Sequence, residues 1–459
     1  MSLLTTVLAF VLAIGVLIVV HEWGHYRVAR ACGVKVLRFS VGFGRVIWRR
    51  QRHPDATEFT LCALPLGGYV RMLDEREGAV PPELRAQAFN NRPLRQRAAI
   101  VAAGPLANFV LAILLFAAVN WIGVDEPKAV LGTPVPGSLA DQAGLRAGDW
   151  VQASSADGQH WTELQSLPQL RWQLTQAVSE GRKLHLSVSD AAGHARRELL
   201  LDTDRLGGRD LDAALLRKLG LGSAFSEPLL GAITAGGPAA SAGLLPGDRV
   251  LSVDGRAVAD AGALRERIRA SGREGDAAQP MQWQVERSGQ VLTLVVRPRQ
   301  VVDGSQRFGR IEAIVGAPPA LVTVSHGPFE SMALGAQRTW EVSTMTLKVF
   351  GRMLIGEASL KNLSGPITIA DYAGQSARLG LVAYLSFMAL VSVSIGVLNL
   401  LPLPMLDGGH LMYYLFEGLT GRPVSEWWLR HLQRAGALIL FLLMALALSN
   451  DLARQLGLH

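Results

Sequence analysis

Two histidines four residues apart, with a glutamate beside the first, stand at the end of an apolar run: His21-Glu22-Trp23-Gly24-His25. On a helix, positions four apart share a face one turn apart, so both imidazoles can reach one metal ion. A metal held there lowers the pKa of a water to about 7, and Glu22 is placed to take its proton and relay it to a leaving amine. Beside lipid each ionisable group costs roughly 2.5–3.5 kcal/mol, so such residues at the end of a span point to function.

A catalytic metal needs a third protein ligand. Cys32 lies seven residues past His25, about 10 Å along a helix axis, too far for a metal bond of about 2.3 Å. The other candidates lie in Asn399-Leu400-Leu401-Pro402-Leu403-Pro404-Met405-Leu406-Asp407-Gly408-Gly409-His410. Two prolines and two glycines break a helix here, and irregular backbone at membrane depth persists only where protein or a cavity covers it. Asp407 and His410 remain rival ligands on these grounds.

These residues must be positioned by membrane-spanning helices. Apolar runs extend over Leu3–Val20, Ala98–Ile122, Leu379 to about Leu403, and Ala435–Leu448. The last is short for the roughly 20 residues a bilayer needs. Hydrophobic residues make up 49% of the chain and charged ones 18%, below the roughly 25% charged of soluble domains. The net charge of +7 is local. Between Tyr26 and Arg97, fourteen Lys and Arg face six Asp and Glu, a positive-inside loop that needs no nucleic acid. The first run has no basic residue ahead of it and no small-residue cleavage site, unlike a signal peptide. Arg422, Arg430 and Arg434 mark a second cytosolic turn, which puts both termini outside the cytosol. Cys32 and Cys62 are the two cysteines, too few for a disulfide framework.

Between the second and third runs an internal repeat occurs. Gly137-Ser138-Leu139-Ala140-Asp141-Gln142-Ala143-Gly144-Leu145-Arg146-Ala147-Gly148-Asp149 returns as Gly237-Pro238-Ala239-Ala240-Ser241-Ala242-Gly243-Leu244-Leu245-Pro246-Gly247-Asp248. The second copy runs on through Arg249–Val253 into an Asp254-Gly255 turn. Two copies about 100 residues apart imply two similar domains rather than a solenoid, and the pattern resembles PDZ domains, with peptides as possible ligands. Pro328 to Leu360 reads as an amphipathic helix, lying on the membrane surface or packed on the repeat region. Phe59 to Leu73 is strand-like, with Pro65 and Gly67-Gly68 forcing a bend.

His-Glu-x-x-His in a first span, Asn-x-x-Pro-x-Pro-x-Leu-Asp-Gly in a later one and a tandem PDZ-like pair between spans resemble the bacterial site-2 proteases, over essentially the whole chain. The resemblance implies that His21, His25 and Asp407 bind Zn2+, that Glu22 is the catalytic acid/base, and that His410 is only a neighbour. It implies a membrane-entering β-hairpin over Phe59–Leu73, and a substrate held by Asn399, Pro402 and Pro404 together with Gly67, Gly68, Tyr69, Val70 and Arg71 of that hairpin. Asn362–Ile367 matches the family's approach to the third span.

The expected fold is an α-helical membrane protein of four transmembrane helices, with a membrane-associated β-hairpin and two periplasmic PDZ-like α+β domains. The boundaries are 1–30 for the first span, 31–97 for the β region, 98–122 for the second span, and 126–221 and 222–303 for the PDZ-like pair. A periplasmic linker with amphipathic helices follows over 304–378, then a broken third span over 379–417, a cytosolic turn over 418–434 and the fourth span over 435–452. The implied function is intramembrane zinc proteolysis in a Gram-negative inner membrane, near the cytosolic face. The implied partners are the lipid bilayer and a single-pass substrate, a pre-trimmed anti-sigma factor or a signal-peptide remnant, whose cutting activates an envelope-stress sigma factor. A PDZ-bearing scaffold with a structural metal site is the rival reading. A metal transporter would need polar residues along several spans, and the second and fourth show few.

Overall fold

Among the described residues four helices are long and apolar enough to cross a bilayer: Leu3–Ala31, Leu94–Ile122, Leu381–Leu400 and Trp427–Arg454. The computed structural model describes residues 3–206, 219–273, 278–303, 306–356 and 365–455. The chain forms two units, Met1–Gly123 with Ser325–His459, and Val124–Val324.

In the first unit, helix approach is set by glycine. A Cβ on Gly24 would lie 2.3 Å from the Ala103 carbonyl oxygen, so the first and second spans touch backbone to backbone there. Ala112 and Phe116 of the second span pack with Ala389, Val393 and Val397 of the third. The long helix Pro328–Leu354 also packs on the second span, where a Cβ on Gly335 would meet the Ile113 carbonyl at 2.6 Å. The face that meets the second span is one of small residues, Ser331, Gly335 and Thr339, while Trp340 and Met345 of the apolar pattern stay exposed; the expected continuation over 357–360 lies outside the described residues.

The third span stops at Leu400, and a new helix runs from Asp407 to Thr420. The last helix spans Glu426–Gln455. The expected turn over 418–434 thus shrinks to 421–425, and the fourth span is longer than 435–452. Its ends carry Arg430, Arg434 and Asp451, which interrupt the apolar pattern without breaking the helix. Asp451 has a structural partner: its carboxylate accepts from the backbone N–H of Gly365 at 3.0 Å, Ile367 at 2.9 Å and Thr368 at 3.1 Å. One helix thereby caps the exposed N–H groups of another, Pro366–Leu379, and a Cβ on Gly365 would sit 2.5 Å from that carboxylate. This gives the Gly365-Pro366 pair a physical role. Asn362 to Ser364 lie outside the described residues.

Strands β1 (Val36–Arg50) and β2 (Glu58–Met72) form a sheet beside the helices. Its register doubles: Ser40 lies opposite both Tyr69 and Thr60, and Val41 opposite both Gly68 and Leu61. The first half of β1 is thus flanked by both halves of β2. The Gly68–Met72 segment pairs on one side only among the described residues, leaving an open edge.

The second unit begins with β3 (Val124–Pro127) and holds two similar cores. In the first, β4 (Trp150–Ser155), β5 (Thr162–Glu163), β6 (Leu184–Ser189) and β7 (Arg197–Leu201) form a sheet of order β5-β4-β6-β7. Helix Leu167–Glu180, capped by Ser166, packs Leu170 and Leu174 against Val151 and Leu186. In the second, β8 (Leu230–Ile233) precedes β9 (Arg249–Val253), β10 (Arg256–Ala257), β11 (Met281–Arg287) and β12 (Gln290–Val296), with sheet order β10-β9-β11-β12. Helix Ala261–Ala270, capped by Asp260, covers Trp283 with Leu264 and Ile268. Asp254 and Gly255 take φ of 50° and 73°, as a tight hairpin turn requires.

The hairpin β13 (Arg299–Asp303) and β14 (Gln306–Arg310) follows, then β15 (Ala313–Val315), which pairs with β8, and β16 (Leu321–Val324), which pairs with β3. The second core accordingly includes Ile311. A boundary at 303 falls short because β8 needs β15, whose three residues carry little sequence signal.

The repeat has a physical basis in its final aspartate. Asp248 accepts from the Leu245 N–H at 2.9 Å and takes a two-pronged contact from Arg287, both at 2.7 Å. Asp149 likewise accepts from the Arg146 N–H at 2.8 Å and from Arg197, here through a single nitrogen. Burial alone would raise the Asp248 carboxyl, but Arg287 and the Leu245 N–H outweigh it and hold it below the usual range. A carboxyl lowered by folding stabilises the fold above its unfolded pKa, and that stability is lost as the pH falls through the folded value. Arg287→Ala should destabilise the second core at neutral pH, with a smaller penalty once the carboxyl is protonated. Hydrogen exchange of the β9, β11 and β12 amides in the full chain, across that pH range, checks it.

Candidate metal centre

His21 and His25 sit on adjacent turns of the first span, and Asp407 opens the short helix after the broken third span. Asp407 Oδ2 lies 3.2 Å from His21 Nε2 and 3.5 Å from His25 Nε2, and the two Nε2 atoms are 3.2 Å apart. The three side chains are 12%, 11% and 18% exposed. His410, the rival from the same segment, is not in this cluster; its ring meets Tyr413 instead. Cys32 follows the end of the first helix and packs beside the Tyr26–Val34 core.

Glycines make the convergence possible. A Cβ on Gly104 would lie 2.2 Å from His25 Nε2, so the second span can pass the imidazoles only with no side chain there. A Cβ on Gly408 would strike the Leu401 carbonyl oxygen at 2.2 Å, and one on Gly409 that of Leu403 at 2.4 Å. The helix bearing Asp407 therefore folds tightly against the break before it. Within the break Met405 adopts φ 91°, an uncommon conformation for a non-glycine residue.

The ring nitrogens facing away from the cluster decide which nitrogens face into it. His25 Nδ1–H donates to the Ile100 carbonyl at 2.8 Å, leaving Nε2 with a lone pair. His21 Nδ1 lies 3.2 Å from the side-chain amide of Asn108, which is fully buried in the second span. Asn108 Oδ1 has no other partner. With that oxygen turned toward His21, Nδ1–H donates to it and Nε2 is again a lone pair. The Ser392 hydroxyl on the third span donates to the Asn108 backbone carbonyl at 2.8 Å. Two imidazole lone pairs then face a carboxylate oxygen that no hydrogen-bond donor serves. Three electron-rich atoms so close repel one another unless a cation sits among them, and two imidazoles with a carboxylate fit a divalent ion such as zinc.

These groups line a cavity of about 320 Å3 together with Glu22, Asn399 and the open strand edge at Gly68, Tyr69 and Val70. A Cβ on Gly68 would come within 3.1 Å of Glu22 Cγ, so edge and carboxylate side chain are in close reach. Four other sequence candidates lie off the cavity. Pro402 does not line it, and Pro404 backs onto the last helix at Gly436. Gly67, at φ 114°, makes room for the Phe43 ring, and Arg71 pairs with Glu77 at 3.1 Å. The cavity adds Met72, Ile100, Met405 and Leu406 to the wall. Asn108 went unnoticed in the sequence. Its only mark there is a polar residue inside an apolar run, four positions after Gly104.

The sequence profile of peptidase family M50 matches residues 9–443. A Ralstonia nicotianae protein named as a zinc metalloprotease is 44% identical over 465 residues, covering 99% of each chain. The regulator of sigma-E protease of Salmonella typhimurium is 39% identical, and that of Escherichia coli 37%, each over 464 residues, with 99% of this chain and 100% of the relative covered.

The Asn108 contact generates a direct test. Asn108→Ala should weaken zinc affinity about 10- to 100-fold while the helices stay assembled. Competition with a chelator, read as metal content of the purified protein, measures this.

Proposed function

The chain belongs to peptidase family M50 and is a zinc metalloprotease of the intramembrane, site-2 kind, and we propose that it cuts a pre-trimmed anti-sigma factor within its membrane-spanning segment. Signal-peptide remnants are a second substrate class. The observation that carries this reading is the single cavity that joins His21, His25 and Asp407 with Glu22 and an unpaired strand edge.

In this reading His21, His25 and Asp407 hold zinc. A zinc ion held there would supply Lewis-acid chemistry that acidifies a water. Glu22 accepts that water's proton and passes it to the leaving amine. Asn108 and the Ile100 carbonyl fix the imidazoles with lone pairs inward.

A substrate helix hides its scissile amide in internal hydrogen bonds, and unwinding it in lipid exposes polar groups at several kcal/mol each. The Gly68–Met72 edge offers those groups a partner, so the substrate binds as an added strand across the cavity mouth. Asn399, which lines the same cavity, contacts it. Pro402 and Pro404 act by shaping the break rather than by touching substrate.

The repeated cores of the second unit are PDZ-like domains on the periplasmic side. They act as a filter that keeps untrimmed ectodomains from the site. The excess of Lys and Arg in residues 26–97 supports a cytosolic placement of that segment, with both termini periplasmic.

Glu22→Gln should abolish cleavage of a membrane-segment substrate while zinc content and substrate binding persist, because an amide cannot carry the proton. A near-normal rate in that variant would leave a scaffold with a structural metal as the better reading. Strand addition predicts that Gly or Pro near the cut raises turnover and a Leu run lowers it. Equal turnover of both substrates by purified enzyme would exclude it.

A further inference from the structure

A second cavity, of about 790 Å3, opens where the first span meets the far side of the β1–β2 sheet. It shares no lining residue with the metal centre. Arg30, Lys35, Arg50, Arg52 and His53 line it, and Asp55 is the one carboxylate among the lining residues. Lys35 takes Asp55 at 3.2 Å. Arg30 donates to the Tyr26 hydroxyl at 3.1 Å and lies over its ring. Among the described residues no carboxylate pairs with Arg30, Arg50 or Arg52. Guanidinium groups gathered without counter-charge repel one another, and their planar forks match phosphate oxygens.

The place of this cavity tells which phosphate. The first span is 29 residues long, about 43 Å, close to the thickness of a bilayer with its headgroups. Its last turn, with Arg30, therefore sits at headgroup level. Next to the cavity, β1 exposes Phe43, Val46, Ile47 and Trp48, with Ile47 68% and Trp48 51% exposed. A run of large apolar side chains bare to water is costly, whereas acyl chains cover it without loss. Phosphate-binding groups thus meet a lipid-facing surface at one membrane depth.

We propose that this cavity binds the phosphate headgroup of an anionic phospholipid, with the acyl chains lying along Phe43, Ile47 and Trp48. A zwitterionic headgroup carries its own ammonium, which the clustered cations repel, so the site selects net negative lipid. Binding there anchors the sheet whose other edge borders the metal cavity. The proposal rests on the membrane-spanning reading but not on proteolysis.

The test uses the full-length protein in nanodiscs of phosphatidylglycerol and phosphatidylcholine in equal parts, released into native mass spectrometry. Wild type should retain phosphatidylglycerol over phosphatidylcholine. Arg50→Gln with Arg52→Gln should weaken that retention about 30-fold, and Arg52→Gln alone, on an exposed loop, about fivefold. Unchanged zinc content certifies that the variants are folded. Equal retention by wild type and the Arg52→Gln variant overturns the proposal, as does equal retention of the two lipids. Recovery of no lipid at all would instead count against the membrane-spanning reading itself. Inorganic phosphate is the second arm, added to wild type in pure phosphatidylcholine. If it protects the Arg50–Ala56 amides from hydrogen exchange as well as phosphatidylglycerol does, the site serves a free anion and the lipid assignment falls.

Discussion

Two imidazole nitrogens and a carboxylate oxygen, from opposite ends of the chain, face one another at 3.2–3.5 Å inside an apolar helical body. Nothing in such an arrangement is self-stabilising, since each atom presents a lone pair to the others and lipid offers no solvation. The surrounding structure is organised around holding it. Gly24 and Gly104 let the second span press on the imidazole face, while Gly408 and Gly409 fold the Asp407 helix back against the break. Each tolerates no side chain, so backbone contact substitutes for ordinary side-chain packing along this seam.

The second span carries more of the site than its composition suggests. It contributes no atom to the cluster, yet the Ile100 carbonyl and Asn108 amide set both imidazoles from behind. Asn108 is tied in turn to Ser392 of the third span. The helix Pro328–Leu354 braces the same span at Gly335. The hydrogen bonds that orient the ligands therefore join helices that also share an apolar core, at Ala112, Phe116, Ala389 and Val393. Loosening that core would loosen the imidazoles.

The β1–β2 sheet divides its work between two sides. Its Gly68–Met72 edge borders the metal cavity with unpaired backbone groups, and its other end turns large apolar side chains outward beside a basic pocket. An open edge is usually a hazard for aggregation. Here it lies against the helices, within reach of Glu22.

Local geometry was written in the sequence. The spacing of His21 and His25 fixes them on one helix face because a turn takes 3.6 residues, and prolines at 402 and 404 must end a helix. Four apolar runs gave four long helices, and the doubled Gly-Asp pattern gave two cores whose aspartates each hold a turn N–H and an arginine. What depends on approach between distant segments was not readable. Asp407 and His410 are three residues apart and both able to ligate zinc; only the packing of the Asp407–Thr420 helix brings the first to the imidazoles and turns the second toward Tyr413. Asn108 is a lone polar residue in an apolar run until the second span is laid beside the first. The last helix outran its apolar stretch because Asp451 is satisfied by the Gly365–Thr368 backbone 80-odd residues away, and a carboxylate with buried donors no longer marks an end. Periodicity specifies elements, but partnership between elements is decided by contacts that no stretch of sequence contains.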